Sequence, residues 1–151
     1  MPAERRAWAP SVILFVACGV WLIALGSYFA LLRPSLLPED ARFIGATVGA
    51  IESELPGLAR WLGHVFTVMG GFMFAAGALT IALATSRAPA RKGMGIVLVA
   101  AGLATVVTMS WVNFVIDSQF KWLLLAPAVA WCAGIAAHVY EGRRRMRHAG
   151  D

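Results

Sequence analysis

Charge is scarce in this sequence, and it is missing from the middle of every long apolar run. Only 14% of the 151 residues are Asp, Glu, Lys or Arg, whereas 60% are hydrophobic. A water-soluble domain carries about 25% charged and about 45–50% apolar residues. A chain this greasy would expose large apolar patches to water, so lipid is the expected solvent. Ion-coupled pumps and transporters commonly place a carboxylate near mid-membrane, and no run holds one there. Proline is absent from the second and third runs, which argues against the broken helices of transporter sites. No nucleotide-binding loop, HExxH or GxSxG pattern occurs, so no catalytic or metal-binding residue is assigned. The polar–apolar alternation of a membrane β-barrel is also missing. The two cysteines, Cys18 and Cys132, lie inside separate apolar runs with no charge nearby. They read as small apolar filler and not as an activated redox pair.

What is present is four apolar runs of roughly 20 residues or more, each enough to cross a ~30 Å hydrocarbon core. The expected spans are 8–32, 59–85, 94–116 and 122–140, within one integral membrane domain covering 1–151. The first run extends too far for a cleaved signal peptide and reads as a retained anchor. Pro34 and Pro38 end it. Pro38-Glu39-Asp40 opens a new helix, because proline and acids suit a first turn. Ile44, Val48, Ile51 and Leu55 then form a stripe at helical spacing. One short amphipathic helix is expected over 38–54, in the first extracytoplasmic loop. The short link between the third and fourth runs makes them an antiparallel hairpin. The fold class is therefore all-α, an antiparallel bundle of four transmembrane helices.

The basic residues orient the bundle. With both termini on one side, Arg5, Arg6, Arg87, Arg91, Lys92, Arg143, Arg144, Arg145 and Arg147 share it. Arg33, Arg42, Arg60 and Lys121 lie on the other. Nine against four makes the first side cytoplasmic by the positive-inside rule. The net charge of +5 thus points to lipid headgroups and not to nucleic acid. Trp8, Trp61 and Trp122 fall at expected interfaces, whereas Trp21 and Trp131 fall near mid-depth and need packing partners.

Ser110, Asn113 and Asp117 share one helical face at i, i+3, i+7. Arg60, His64, Thr67 and Gly71 share another. Ser27 and Tyr28 lie at the same outer level. Polar groups in hydrocarbon are costly unless they meet one another or a wet cavity. Tyr28, Arg60, His64, Thr67, Ser110, Asn113 and Asp117 are therefore candidates for an outer-leaflet pocket. The competing reading is that these groups make interhelical hydrogen bonds of about 0.6 kcal/mol each and only hold the bundle. His64 and His138 fall at opposite faces, so they do not sandwich one haem. Gly70, Gly71, Ala75 and Gly77 form a small-residue strip, with Gly71 and Ala75 in small-xxx-small spacing, suited to close helix packing.

The segments Leu36–Gly45, Gly70–Thr80 and Asn113–Trp122 together resemble small four-span bacterial inner-membrane proteins of the DoxX-like group. The resemblance implies a four-helix fold in a bacterial plasma membrane, with an accessory role beside redox enzymes, and it carries over no catalytic motif. The expected function is structural or accessory, through self-association or a membrane protein partner, without cofactor. The alternative is a binder of a lipid-soluble small molecule, a quinone or lipid, in the outer-leaflet pocket. Catalytic turnover is a distant third.

Overall fold

The computed structural model describes residues 8–86 and 93–148. Arg5, Arg6, Arg87, Arg91 and Lys92, which helped set the expected orientation, lie outside them. The chain is all-α, with no strand among the described residues. The elements are α1 (Pro10–Leu31), α2 (Pro38–Ile44), α3 (Val48–Glu54) and α4 (Pro56–Thr85). They continue as α5 (Met94–Gly102), a π-helical turn (Leu103–Val107), α6 (Thr108–Val115) and α7 (Lys121–His148). Four helical stretches are long and apolar enough to cross a membrane: α1, α4, the third span Met94–Val115, and α7. The protein is a multi-pass integral membrane protein.

Proline sets three of the helix starts. Pro10, Pro38 and Pro56 each sit in the first turn, where a missing N–H costs nothing and the fixed φ is already helical. The helix of the fourth span, expected over 122–140, runs on through the arginine-rich tail to His148. The amphipathic segment is also not one helix. Gly45, at φ 82°, ends α2 in the left-handed region. The Ala46 N–H then bonds the Ala41 carbonyl, and the Gly45 N–H bonds that of Arg42, which is a Schellman closure. Thr47 caps α3 by accepting a bond from the Ala50 N–H. The break splits the expected stripe. Ile51 is buried with Leu36 and Ala41 against the start of α4, whereas Ile44 and Leu55 are exposed.

Two glycine pairs bring α1 and α4 into backbone contact. A Cβ placed on Gly26 would lie 2.6 Å from the Gly70 carbonyl oxygen, and one on Gly77 would lie 2.5 Å from that of Gly19. The glycines are seven residues apart on both helices and run antiparallel, Gly19 against Gly77 and Gly26 against Gly70. Seven is the period that keeps two helices facing along a left-handed crossing. In lipid, association rests on such packing. Of the expected strip, Gly70 and Gly77 are buried in this contact, whereas Gly71 and Ala75 are exposed. The 3.6-residue turn puts neighbouring glycines on different faces, and α1 meets the face of Gly70, Met73 and Gly77.

Beyond this pair, α1 packs on α7, and α7 packs on the third span. Among the described residues, the backbones of the second and third spans, though consecutive in sequence, run apart over most of their length. The order across the bundle is α4, α1, α7, then α5–α6. Trp131 on α7 is the central filler. Its ring meets Phe15 edge-on at 5.3 Å, its indole N–H donates to the Leu98 carbonyl at 2.9 Å, and it fills the space a Gly102 side chain would need. Trp131 thus has the partners its depth requires. At one end, Glu141 of α7 accepts from both the backbone N–H (3.1 Å) and the hydroxyl (2.6 Å) of Ser11. The start of α1 and the end of α7 therefore share one end of the bundle, and α2 and α3 lie at the other.

Gly70→Val should separate α1 from α4 and lower stability by about 1–3 kcal/mol, the usual range for overpacking. Gly71→Val, on the exposed face, should cost less than about 0.5 kcal/mol. Equal loss of thermal stability for the two variants in one detergent would remove the glycine contact as the reason α1 and α4 associate.

Candidate functional site

The span order leaves an open cleft between α4 and the third span, floored by α1. It encloses about 590 Å³. Phe66, Met69, Phe72 and Met73 form the α4 wall, Ala104, Thr105, Thr108 and Met109 the opposite wall, and Leu22 the floor. The π-helical turn contributes Ala104 and Thr105 to this wall. The Thr108 N–H and hydroxyl both reach back five residues to the Leu103 carbonyl, the extra residue that defines a π turn.

A second cavity of about 300 Å³ lies at the α2 end, lined by residues that include Trp21, Tyr28, Glu39, Ser118 and Phe120. The two cavities share Phe29, Arg33, Asp40, Asn113 and Ile116. These five form a partition, apolar at its edges and polar in the middle.

Arg33 is the centre of that partition. The chain leaves α1 at Leu31 and is turned by Pro34, which folds the guanidinium back between two rings. It lies 3.7 Å from the centroid of Phe66 and 5.3 Å from that of Phe29. It bonds Asp40 at 2.8 Å and the Pro34 carbonyl at 2.9 Å. Only 7% of its side chain is exposed. A charge so placed persists only with a partner. Asp40 serves twice, since it also accepts from the Leu37 N–H at 2.9 Å at the start of α2.

Glu39 is more buried still, 4% exposed. Its Oε1 accepts from the Ser118 hydroxyl at 3.2 Å. Ser118 belongs to the turn between α6 and α7, where Asp117 takes φ 51°. The Ser118 N–H bonds the Asn113 carbonyl and the Asp117 N–H bonds that of Phe114. This is a second Schellman closure, with aspartate in the place glycine usually takes. Arg42 donates to the Asp117 carbonyl at 2.7 Å. Helix α2 is thus pinned across the end of the bundle by Glu39 and Arg42. The Asp117 carboxylate is held below the ordinary range, first by a hydrogen bond from Lys121, then by the charges of Lys121 and Arg42. A lowered native value means this contribution is complete above the usual carboxylate range and is lost as pH falls through it.

The expected site residues separate into three groups. Tyr28 and Asn113 line the cavities, Asn113 both of them. Ser110 is buried, with its hydroxyl 2.7 Å from both the Val106 and the Leu124 carbonyls. It tethers α6 to α7 three residues before Pro127, whose ring removes an N–H from α7. Asp117 closes the turn. Arg60, His64 and Thr67 lie on an exposed face of α4 and line neither cavity. Imidazole and carboxamide are not brought together; the Asn113 amide donates to the Met109 carbonyl of its own helix. Sequence reasoning passed over Arg33, Glu39, Asp40, Phe66 and Ser118. The available signal was a lone arginine after a span, seven residues from an acid and flanked by two prolines. Cys18 bonds the Pro127 carbonyl at 3.6 Å and Cys132 faces outward, so the thiols are unpaired. Compared with protein-family models, curated proteins and solved structures, the chain matches none.

Asp40→Ala strands the buried guanidinium and should cost about 3 kcal/mol. The double variant Arg33→Met/Asp40→Leu, which removes both charges, should recover most of that loss. Thermal unfolding in one detergent decides it, and a double variant no more stable than Asp40→Ala would show that the pair is not a desolvated unit.

Proposed function

We propose that this protein binds a lipid-soluble amphiphile, with the tail in the cleft between α4 and the third span and the head at the Arg33–Asp40–Asn113 partition. The observation that carries this reading is the cleft itself. About 590 Å³ lies beside α1, in the size range of small-molecule sites, which are mostly apolar with a few placed polar groups. Its walls are rich in Met and Phe, side chains that adapt to irregular apolar guests. Its charged and amide groups gather at one end, as an amphiphile requires, and the Thr105 and Thr108 hydroxyls of the wall are bonded within their own helix. The separation of the α4 and α5–α6 backbones gives a guest lateral entry from the bilayer. A quinone or a lipid has this form, and the DoxX-like kinship inferred from the sequence is compatible with either.

A second reading, in which the protein associates with itself or with a membrane partner, rests on a different face. Gly71 is exposed, and no other helix among the described residues approaches within 4 Å of where its side chain would begin. Close helix packing uses such positions. The expected orientation, with both termini cytoplasmic in a bacterial inner membrane, would set the partition in the outer leaflet.

Ala104→Trp fills the cleft from an exposed wall position, and Asn113→Leu removes the amide both cavities share. Each should leave thermal stability within about 1 kcal/mol and strip a co-purifying small molecule from nanodisc-purified protein, as read by mass spectrometry. Identical small-molecule content in wild type and both variants would end the cleft reading.

A further inference from the structure

We infer that the smaller cavity selects a cationic headgroup, so that the amphiphile taken up is a lipophilic cation. This rests on the cleft-binding reading and adds a charge to it. The larger cleft contributes no net charge to recognition, because Arg33 is already held by Asp40, the Pro34 carbonyl and the faces of Phe29 and Phe66. The smaller cavity differs. Two carboxylates, Glu39 and Asp40, and one cation, Arg33, line it. Once Arg33 and Asp40 are set against each other, Glu39 remains.

Glu39 is 96% buried, taking its 4% exposure, and it lines the cavity wall. An ionised carboxylate has about four acceptor sites. Among the described residues the Ser118 hydroxyl donates to Oε1 at 3.2 Å, and Oε2, which meets no donor there, keeps accessible surface and is not a sealed atom. A buried carboxylate in that state is costly unless a cation or further donors arrive. Four aromatic residues, Trp21, Tyr28, Phe29 and Phe120, share the wall with aliphatic ones such as Leu25, Ile116 and Leu123. Aromatic rings and a carboxylate around one small space are the elements that recognise ammonium groups. An anionic head would face Glu39 with no free cation to meet it.

The test uses the full chain in phosphatidylcholine nanodiscs and three probes with the same tail: decyltrimethylammonium, decanol and decyl sulfate. Saturable binding is measured by equilibrium dialysis, with empty discs subtracted. Decyltrimethylammonium should bind about tenfold or more tighter than decanol, and decyl sulfate more weakly than either. Glu39→Gln should erase the cation's advantage and leave decanol within about twofold. Trp21→Leu, which does not touch the Glu39–Ser118 bond, should also weaken the cation selectively, so the result does not depend on one variant folding. Equal affinity of the three probes for the wild type, or unchanged cation affinity in a folded Glu39→Gln protein, overturns the cation assignment while leaving the cleft reading in place. Saturable binding of none of the probes overturns both.

Discussion

In a bilayer the lipid tails are as apolar as the helices, so the drive that packs soluble cores is weak between spans. Close contact must replace it. Here that contact is Gly19 and Gly26 of α1 against Gly77 and Gly70 of α4, where carbonyl oxygens occupy the space side chains would need. The rest of the arrangement follows. With α4 committed to one side of α1, and α7 to the other through Trp131 and Phe15, the third span reaches α7 but not α4. The cleft is what remains when three helices form a row and the fourth joins at one end.

The polar groups obey the same economy of contact. Three buried donors reach a backbone carbonyl of a neighbouring helix. Ser110 meets the Leu124 carbonyl near Pro127, Cys18 meets that of Pro127, and Trp131 meets that of Leu98. These bonds hold the frame. The exceptions collect under α2, where Glu39 keeps one oxygen open and Trp21 keeps a donor unmatched. Natural interiors leave few such groups, so their gathering at one cavity separates that cavity from the frame.

The spans were legible because a run of ~20 apolar residues matches the thickness of a bilayer's hydrocarbon layer and is longer than most buried helices of soluble proteins. Their order across the bundle was not legible, since a helix that is apolar all round carries no stripe to say which side faces protein. That is why Gly71 and Ala75 could be placed in one packing strip with Gly70 and Gly77, when only the latter two meet α1. It is also why His64 was assigned to an interior it does not enter. Asn113 and Tyr28, which line the cavities, could be picked out as candidates because polarity inside a run is rare, and rarity is visible in sequence. Arg33, Glu39 and Asp40 were hidden among loop charges that normally face water. Their burial depends on the turn at Pro34 and on α2 folding across the bundle end, which is tertiary information. The single amphipathic helix failed at Gly45, whose left-handed backbone ends α2 despite a continuous apolar pattern.

The bond between Ser11 and Glu141 joins positions 130 residues apart. At about 5–20 residues per second of synthesis, their meeting is delayed on the order of ten seconds. Throughout that interval the Ser11 amide and hydroxyl lack the Glu141 carboxylate that accepts from both. The first span is thus completed only by the last, and the assembled form is locked only after the ribosome has passed Glu141.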